Sequence, residues 1–138
     1  MAVEIDVTYD GNLYCTATHG PSRKTLQTEA PVDNGGKGES FSPTDLLATA
    51  TGACMLTVMG IVAAREGVDM TGAKVHVIKE MTSVPTRRVG KLTITLTMPE
   101  GLQATDAQRT KLERAAEVCP VKKSLHPDVE LDVKFVYP

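Results

Sequence analysis

Three cysteines, three histidines and a scatter of acids and arginines hold whatever chemistry this chain of 138 residues can perform. Cys15, Cys54 and Cys119 lie far apart, form no Cys-x-x-Cys pair and are odd in number, so a disulfide scaffold is not expected. His19, His76 and His126 are equally scattered, with no two at ligand spacing, and they imply neither a metal nor a cofactor. The cysteines are the better lead. Cys15 stands between Tyr14 and Thr16 in strand-like sequence, where a free cysteine usually serves as a small buried hydrophobe. Cys54 follows Gly52 and Ala53, in a neighbourhood whose small residues leave room for another group. Cys119 precedes Pro120, which makes it the expected N-cap of a short helix, where the helix dipole would lower a thiol from about 8.5. A helix-borne cysteine and a cap-position cysteine suit peroxide reduction. One thiolate attacks the peroxide oxygen and becomes a sulfenic acid, and the other thiol resolves it to a disulfide.

The element that must carry Cys54 is a single long helix. Ser42 is a good N-cap, Pro43 suits the first helical position, Asp45 sits where a capping-box acid belongs, and Gly67 is placed to end the helix. No charged side chain stands between Asp45 and Arg65, which predicts a buried helix. At 1.5 Å per residue it spans roughly 36 Å, more than one small domain covers on every side, so a homodimer is expected. Ahead of it, residues 2–9, 13–18 and 24–29 alternate with period two around turn signals at Asp10-Gly11-Asn12 and Gly20-Pro21-Ser22, predicting a three-stranded meander. The polar stretch from Pro31 to Phe41 is dense in glycine. It reads either as a flexible connection into the helix or as a backbone-lined rim able to approach a ligand. It lacks the spacing of a phosphate-binding loop.

After Gly67, residues 74–82 and 91–98 alternate about a turn at Pro85–Gly90 as a second hairpin. A second helix starts at Thr105-Asp106, with Leu112, Ala115, Ala116 and Cys119 at core spacing, and Pro120 interrupts it. Residues 129–137 alternate as a closing strand. Strands before, between and after two main helices, joined mostly by hairpins, read as one α+β domain over residues 1–138, its sheets antiparallel. A formal net charge of −2 and few aromatics argue against nucleic acid as a partner. The N-terminus has no basic region followed by an apolar block, which points to a cytoplasmic address. The uncharged helix contains Thr49, Thr51, Gly52, Thr57 and Gly60 and is flanked by strands, so no membrane span is expected.

The run Gly35-Gly36-Lys37-Gly38-Glu39-Ser40-Phe41-Ser42-Pro43-Thr44-Asp45-Leu46-Leu47, with Gly52-Ala53-Cys54-Met55 and the later Glu117-Val118-Cys119-Pro120, resembles the OsmC/Ohr family, the osmotically inducible and organic-hydroperoxide-resistance proteins of bacteria. The order of elements is similar along essentially the whole chain, and Ser-Pro-Thr-Asp-Leu-Leu looks closest to the OsmC-like branch. The resemblance implies an intertwined homodimer with sites built from both chains. It implies a thiol-dependent peroxidase acting on organic hydroperoxides, with Cys54 peroxidatic, Cys119 resolving, and a dithiol or lipoylated protein as reductant. The family's peroxidases place a glutamate directly after the helix-start proline, paired with an arginine from the N-terminal part. Here Thr44 follows the proline and the acid is Asp45, a position turned by about 100°. Glu39 is the alternative acid, and Arg23 is the N-terminal arginine, while Arg87 and Arg88 lie in a hairpin turn. The alternative function is a binding module of the same fold, holding a small apolar ligand, with non-catalytic cysteines.

Overall fold

The computed structural model describes all 138 residues, which form two compact units, Met1–Leu47 and Ala48–Pro138. The first unit is the expected meander. Strands β1 (Ile5–Gly11), β2 (Tyr14–His19) and β3 (Thr25–Glu29) pair antiparallel in the order β1-β2-β3, with Tyr9 opposite Cys15 and Cys15 opposite Thr28. The apolar alternation of β1 does not face a core within this unit: Ile5, Val7 and Tyr9 are 62%, 63% and 64% exposed. A single 3₁₀ turn, Val32–Asn34, opens the glycine-dense loop.

Helix α1 (Pro43–Glu66) runs from the cap at Ser42 to Gly67, as its sequence dictates. The backbone N–H of Asp45 donates to Ser42 Oγ at 3.1 Å and the N–H of Ser42 donates to Asp45 Oδ2 at 2.9 Å, a complete capping box. At the other end Gly67 takes a φ of +68°, with Val68 N–H donating to Ala63 O and Gly67 N–H to Ala64 O. This reciprocal pair is the Schellman arrangement, which needs a left-handed residue and so favours glycine. α1 is long and apolar enough to cross a bilayer; one face, with Thr51, Gly52, Met55, Met59 and Ala63, is buried in the protein, but Leu47 and Ile61 are 38% and 48% exposed, so the chain does not bury the helix all round as its uncharged sequence predicts.

In the second unit, β4 (Lys74–Thr82) and β5 (Arg88–Thr97) form the expected hairpin, with Val77 opposite Ile94. The closing strand β6 (Glu130–Val136) pairs with β5 in parallel, Ile94 opposite Val133, so this sheet is mixed. That departs from the antiparallel sheets expected. The cause is the connection: α2 (Asp106–Glu117) and α3 (Pro120–Ser124) intervene between β5 and β6, and a helical crossover returns the chain in the same direction. Leu92, Ile94 and Leu96 of the central strand are fully buried and share one apolar cluster with Met55 and Met59 of α1 and Leu112 and Ala116 of α2.

Two local devices seat the helices there. A Cβ on Gly52 would stand 2.9 Å from Val77 Cγ2 and 3.2 Å from both Val75 methyls, so α1 can approach β4 only because residue 52 is glycine. Thr105 and Gln108 cap α2 reciprocally. The end of the chain is tied to the same helix, with the Arg109 guanidinium 4.5 Å over the Tyr137 ring and the Tyr137 hydroxyl donating to Glu113 Oε2 at 3.0 Å.

Candidate active site

Two cysteines distant in sequence meet in the second unit. Cys54, half-buried on α1, and Cys119, with no exposed surface between α2 and α3, lie near enough for each side chain to act on the other. Both are free thiols. Their elements bring them together for separate reasons. Cys54 is on the helix that Gly52 allows to settle on β4. Cys119 follows the end of α2, whose face of Leu112, Ala115 and Ala116 is buried, and Pro120 starts a new helix at once.

Cys119 is the N-cap of α3, as its neighbour Pro120 predicted, and its sulfur accepts the backbone N–H of Lys122 at 3.2 Å. The expected acidification of this thiol does not follow. Burial is the largest influence and pushes the Cys119 thiol up, and the hydrogen bond to Cys54 and the charge that Cys54 would carry push it the same way. The N–H groups of Lys122 and Val121 act in the opposite sense without reversing the result. A five-residue helix offers two amides but cannot compensate for removal from water. Cys119 therefore keeps its proton above the ordinary thiol range and can donate its S–H to the Cys54 sulfur.

In the first unit the glycine-dense loop has a definite structure, and its centre is Glu29. This residue ends β3 with only 2% of its surface exposed. Its Oε2 accepts the backbone N–H of Lys37 at 3.3 Å, and its Oε1 accepts those of Ser40 at 2.7 Å and Glu39. Burial pushes the Glu29 carboxyl up, but these amides and the Tyr14 hydroxyl outweigh it and hold the group below the usual carboxylate range. The loop's amides thus converge on an internal carboxylate. This replaces the two readings open from the sequence: the segment is neither loose nor a vacant rim of donors.

The remaining expected site residues also lie in the first unit or at its edge. Glu39 projects from the loop, and its Oε2 accepts the Tyr14 hydroxyl at 3.2 Å. Burial, Glu29 and then Glu39 push the Tyr14 phenol up to about 12, so it remains a donor. Asp45 has one carboxylate oxygen in the α1 capping box. Arg23 is exposed in the β2–β3 turn, at a φ of +60°. Arg88, from the other hairpin, donates to the carbonyls of Val89 and Asp128, a structural tie.

A family model described as OsmC-like protein matches residues 36–134, most of the chain. The chain belongs to the OsmC-like family. Among solved structures similar to this OsmC-like protein, one from Psychrobacter arcticus 273-4, provisionally described as an osmotic stress induced and detoxification response protein, is 41% identical, with a TM-score of 0.89 over 98% of this chain and 96% of that one. An organic hydroperoxide resistance protein OsmC of Legionella pneumophila is 14% identical, with a TM-score of 0.74 over 99% and 97% of the two chains. OhrB of Bacillus subtilis is 15% identical, with a TM-score of 0.66 over 98% of each. The last two show the shared fold. Among curated proteins none matches.

Sequence reasoning about this OsmC-like chain singled out Cys54 and Cys119 but missed Glu29 and Tyr14. A signal for Glu29 was present: an acid at the end of a strand, just ahead of a loop whose many amides need an acceptor. Nothing in the sequence marked Tyr14, whose role depends on the β2–β3 register that sets it opposite Glu29.

Proposed function

We propose that this protein is a thiol-dependent peroxidase that reduces organic hydroperoxides. The observation that carries the reading is the proximity of Cys54 and Cys119, two free thiols brought together from different helices. Cys54 is the attacking sulfur, since it has surface open to substrate, while Cys119 has none and holds its proton. The Cys54 thiolate attacks the outer peroxide oxygen, and the O–O bond breaks. Cys54 becomes a sulfenic acid, and the leaving alkoxide takes a proton to become the alcohol. The Cys119 sulfur then displaces hydroxide from the sulfenic acid, its own proton completes a water molecule, and a Cys54–Cys119 disulfide remains. An external dithiol, free or lipoyl-like on a carrier protein, reduces that disulfide by exchange and is itself oxidised to a disulfide.

Glu39 is the acid that serves the reacting peroxide; Arg23, in the β2–β3 turn, lies at the opposite end of that hairpin from Tyr14 and Glu39 and is not its counterpart within the chain. Glu39 is preferred because Asp45 already satisfies the N-cap amide of α1. The two units act as halves of one OsmC-like domain that functions as a homodimer. The apolar face of β1 supports this, being exposed in the single chain. The test is treatment of reduced protein with one equivalent of cumene hydroperoxide, followed by mass spectrometry. A Cys54–Cys119 disulfide is expected, and two free thiols would sink the reading.

A largely apolar cleft of about 480 Å³ between α1 and α2, lined by Val58, Ile61, Val62, Ala115 and Val118 with Lys111 and Arg114 also on its wall, favours a second reading as a binding module for a small apolar ligand. Native mass spectrometry of freshly purified protein separates the two. A bound mass that persists in Cys54→Ser, with no hydroperoxide consumed by the parent protein, supports the module.

A further inference from the structure

The glycine-dense loop is wrapped around a charge that belongs to the protein itself. The amides of Lys37, Glu39 and Ser40 turn inward to the Glu29 carboxylate, and the N–H of Glu29 donates in return to Phe41 O at 3.1 Å. Such a turn requires close backbone approach: a Cβ on Gly36 would stand 1.6 Å from Ala30 O. A carboxylate this deeply buried is costly unless hydrogen bonds replace its water, and amide donors to a full negative charge are among the stronger ones. The Tyr14 phenol stands between Glu29 and Glu39 and donates to Glu39 Oε2 at 3.2 Å. Glu39 is consequently held twice, by its backbone N–H on Glu29 and by its carboxylate on Tyr14.

We infer that Glu29 is a positioning residue: its carboxylate is the internal anion on which the loop closes, and together with the Tyr14 hydroxyl it sets the direction of the Glu39 carboxylate. This rests on the proposal that Glu39 is the acid serving Cys54. A glutamate on a glycine-dense loop would otherwise sample many directions, and a reacting group out of place by about 1 Å can lose up to roughly a hundredfold in rate.

The test compares the parent protein with Glu29→Gln, Tyr14→Phe, Glu39→Gln and the doubles Glu29→Gln/Glu39→Gln and Tyr14→Phe/Glu39→Gln. Three quantities are read: the single-turnover rate of Cys54 oxidation by cumene hydroperoxide, the rate of its alkylation by iodoacetamide, and hydrogen exchange at the amides of residues 37, 39 and 40. Glu29→Gln and Tyr14→Phe should each slow oxidation by roughly tenfold while alkylation stays within about twofold, and neither should slow it further once Glu39 is Gln. Equal slowing in the Glu39→Gln background overturns the inference, as does an unchanged oxidation rate in Tyr14→Phe, which remains decisive if Glu29→Gln fails to fold. If Glu39→Gln oxidises at the parent rate, or cumene hydroperoxide leaves Cys54 untouched, the proposed function has failed at that point. The anchoring role is then read from exchange alone: Glu29→Gln must deprotect the three amides and Glu39→Gln must not, and unchanged protection in Glu29→Gln overturns it.

Discussion

The two thiols differ more in environment than in chemistry, and that difference supports the roles proposed for them. Cys119 is buried beside Cys54, so its proton is held above the ordinary thiol range, near 8.5 for a free cysteine. Replacing Cys54 by Ala removes the partner but leaves burial, the larger influence. Alkylation of Cys119 should therefore begin at lower pH in Cys54→Ala than in the parent, yet still above that of a free thiol. Ultraviolet thiolate titration of both proteins checks this. The linkage has a definite sign: a thiol raised in the folded state withdraws stability as pH climbs from the unfolded value towards the folded one. Denaturant melts of the parent should weaken across that alkaline window, and those of Cys119→Ala should weaken less. If the proposed peroxidase cycle operates, the same asymmetry predicts that Cys119→Ser accumulates a Cys54 sulfenate that dimedone traps. Cys54→Ser should lose more than about a thousandfold of the hydroperoxide-reducing rate.

Among the elements, α1 depends on a contact rather than on its intrinsic helical tendency. Gly52→Ala would improve helix propensity by about 1 kcal/mol. The new methyl would meet Val77 and Val75, whose branched side chains have little rotamer freedom, and overpacking of this kind costs about 1–3 kcal/mol. The clash should win, so chemical denaturation is expected to show a less stable Gly52→Ala protein, and a much less stable Gly52→Val. Capping is separable from packing: Thr105→Ala removes the reciprocal cap of α2 and should cost about 1 kcal/mol in the same assay, with both thiols left reactive. The loop has its own pH signature. Glu29 is held below its usual range, so its contribution is present above the unfolded carboxyl value of about 4.3 and is lost as pH falls through the folded value. Amide exchange at residues 37, 39 and 40, corrected for the intrinsic pH dependence, should accelerate in that acidic window.

For the whole molecule, the apolar stripe of Ile5, Val7 and Tyr9 on β1, with Val3 just ahead of it, is the feature a lone chain leaves unexplained. Exposed patches of this kind on a soluble protein mark interfaces. A homodimer that covers the stripe should appear in light scattering at twice the 14.8 kDa chain mass, and Val7→Glu should shift it towards monomer. Hydroperoxide reduction should fall along with dimer content if each site is completed by the partner chain. A monomeric parent protein would refute the dimer while leaving the thiol pair intact.

Much of this protein could be read from short-range signals. The caps Ser42-Pro43 and Gly67 bounded α1, period-two alternation located the strands, and Pro120 announced both the end of α2 and the N-cap at Cys119. These depend on interactions within a few residues, and so they are written in local sequence. Three decisions were not. The approach of Cys54 and Cys119 joins residues on different helices, the raised thiol of Cys119 follows from burial that overrides its helix end, and the fate of Glu29 turns on where a loop closes. The direction of β6 belongs with them, because a crossover and a hairpin present the same alternation. Each depends on which distant groups share a low-dielectric space, and only the tertiary structure supplies that.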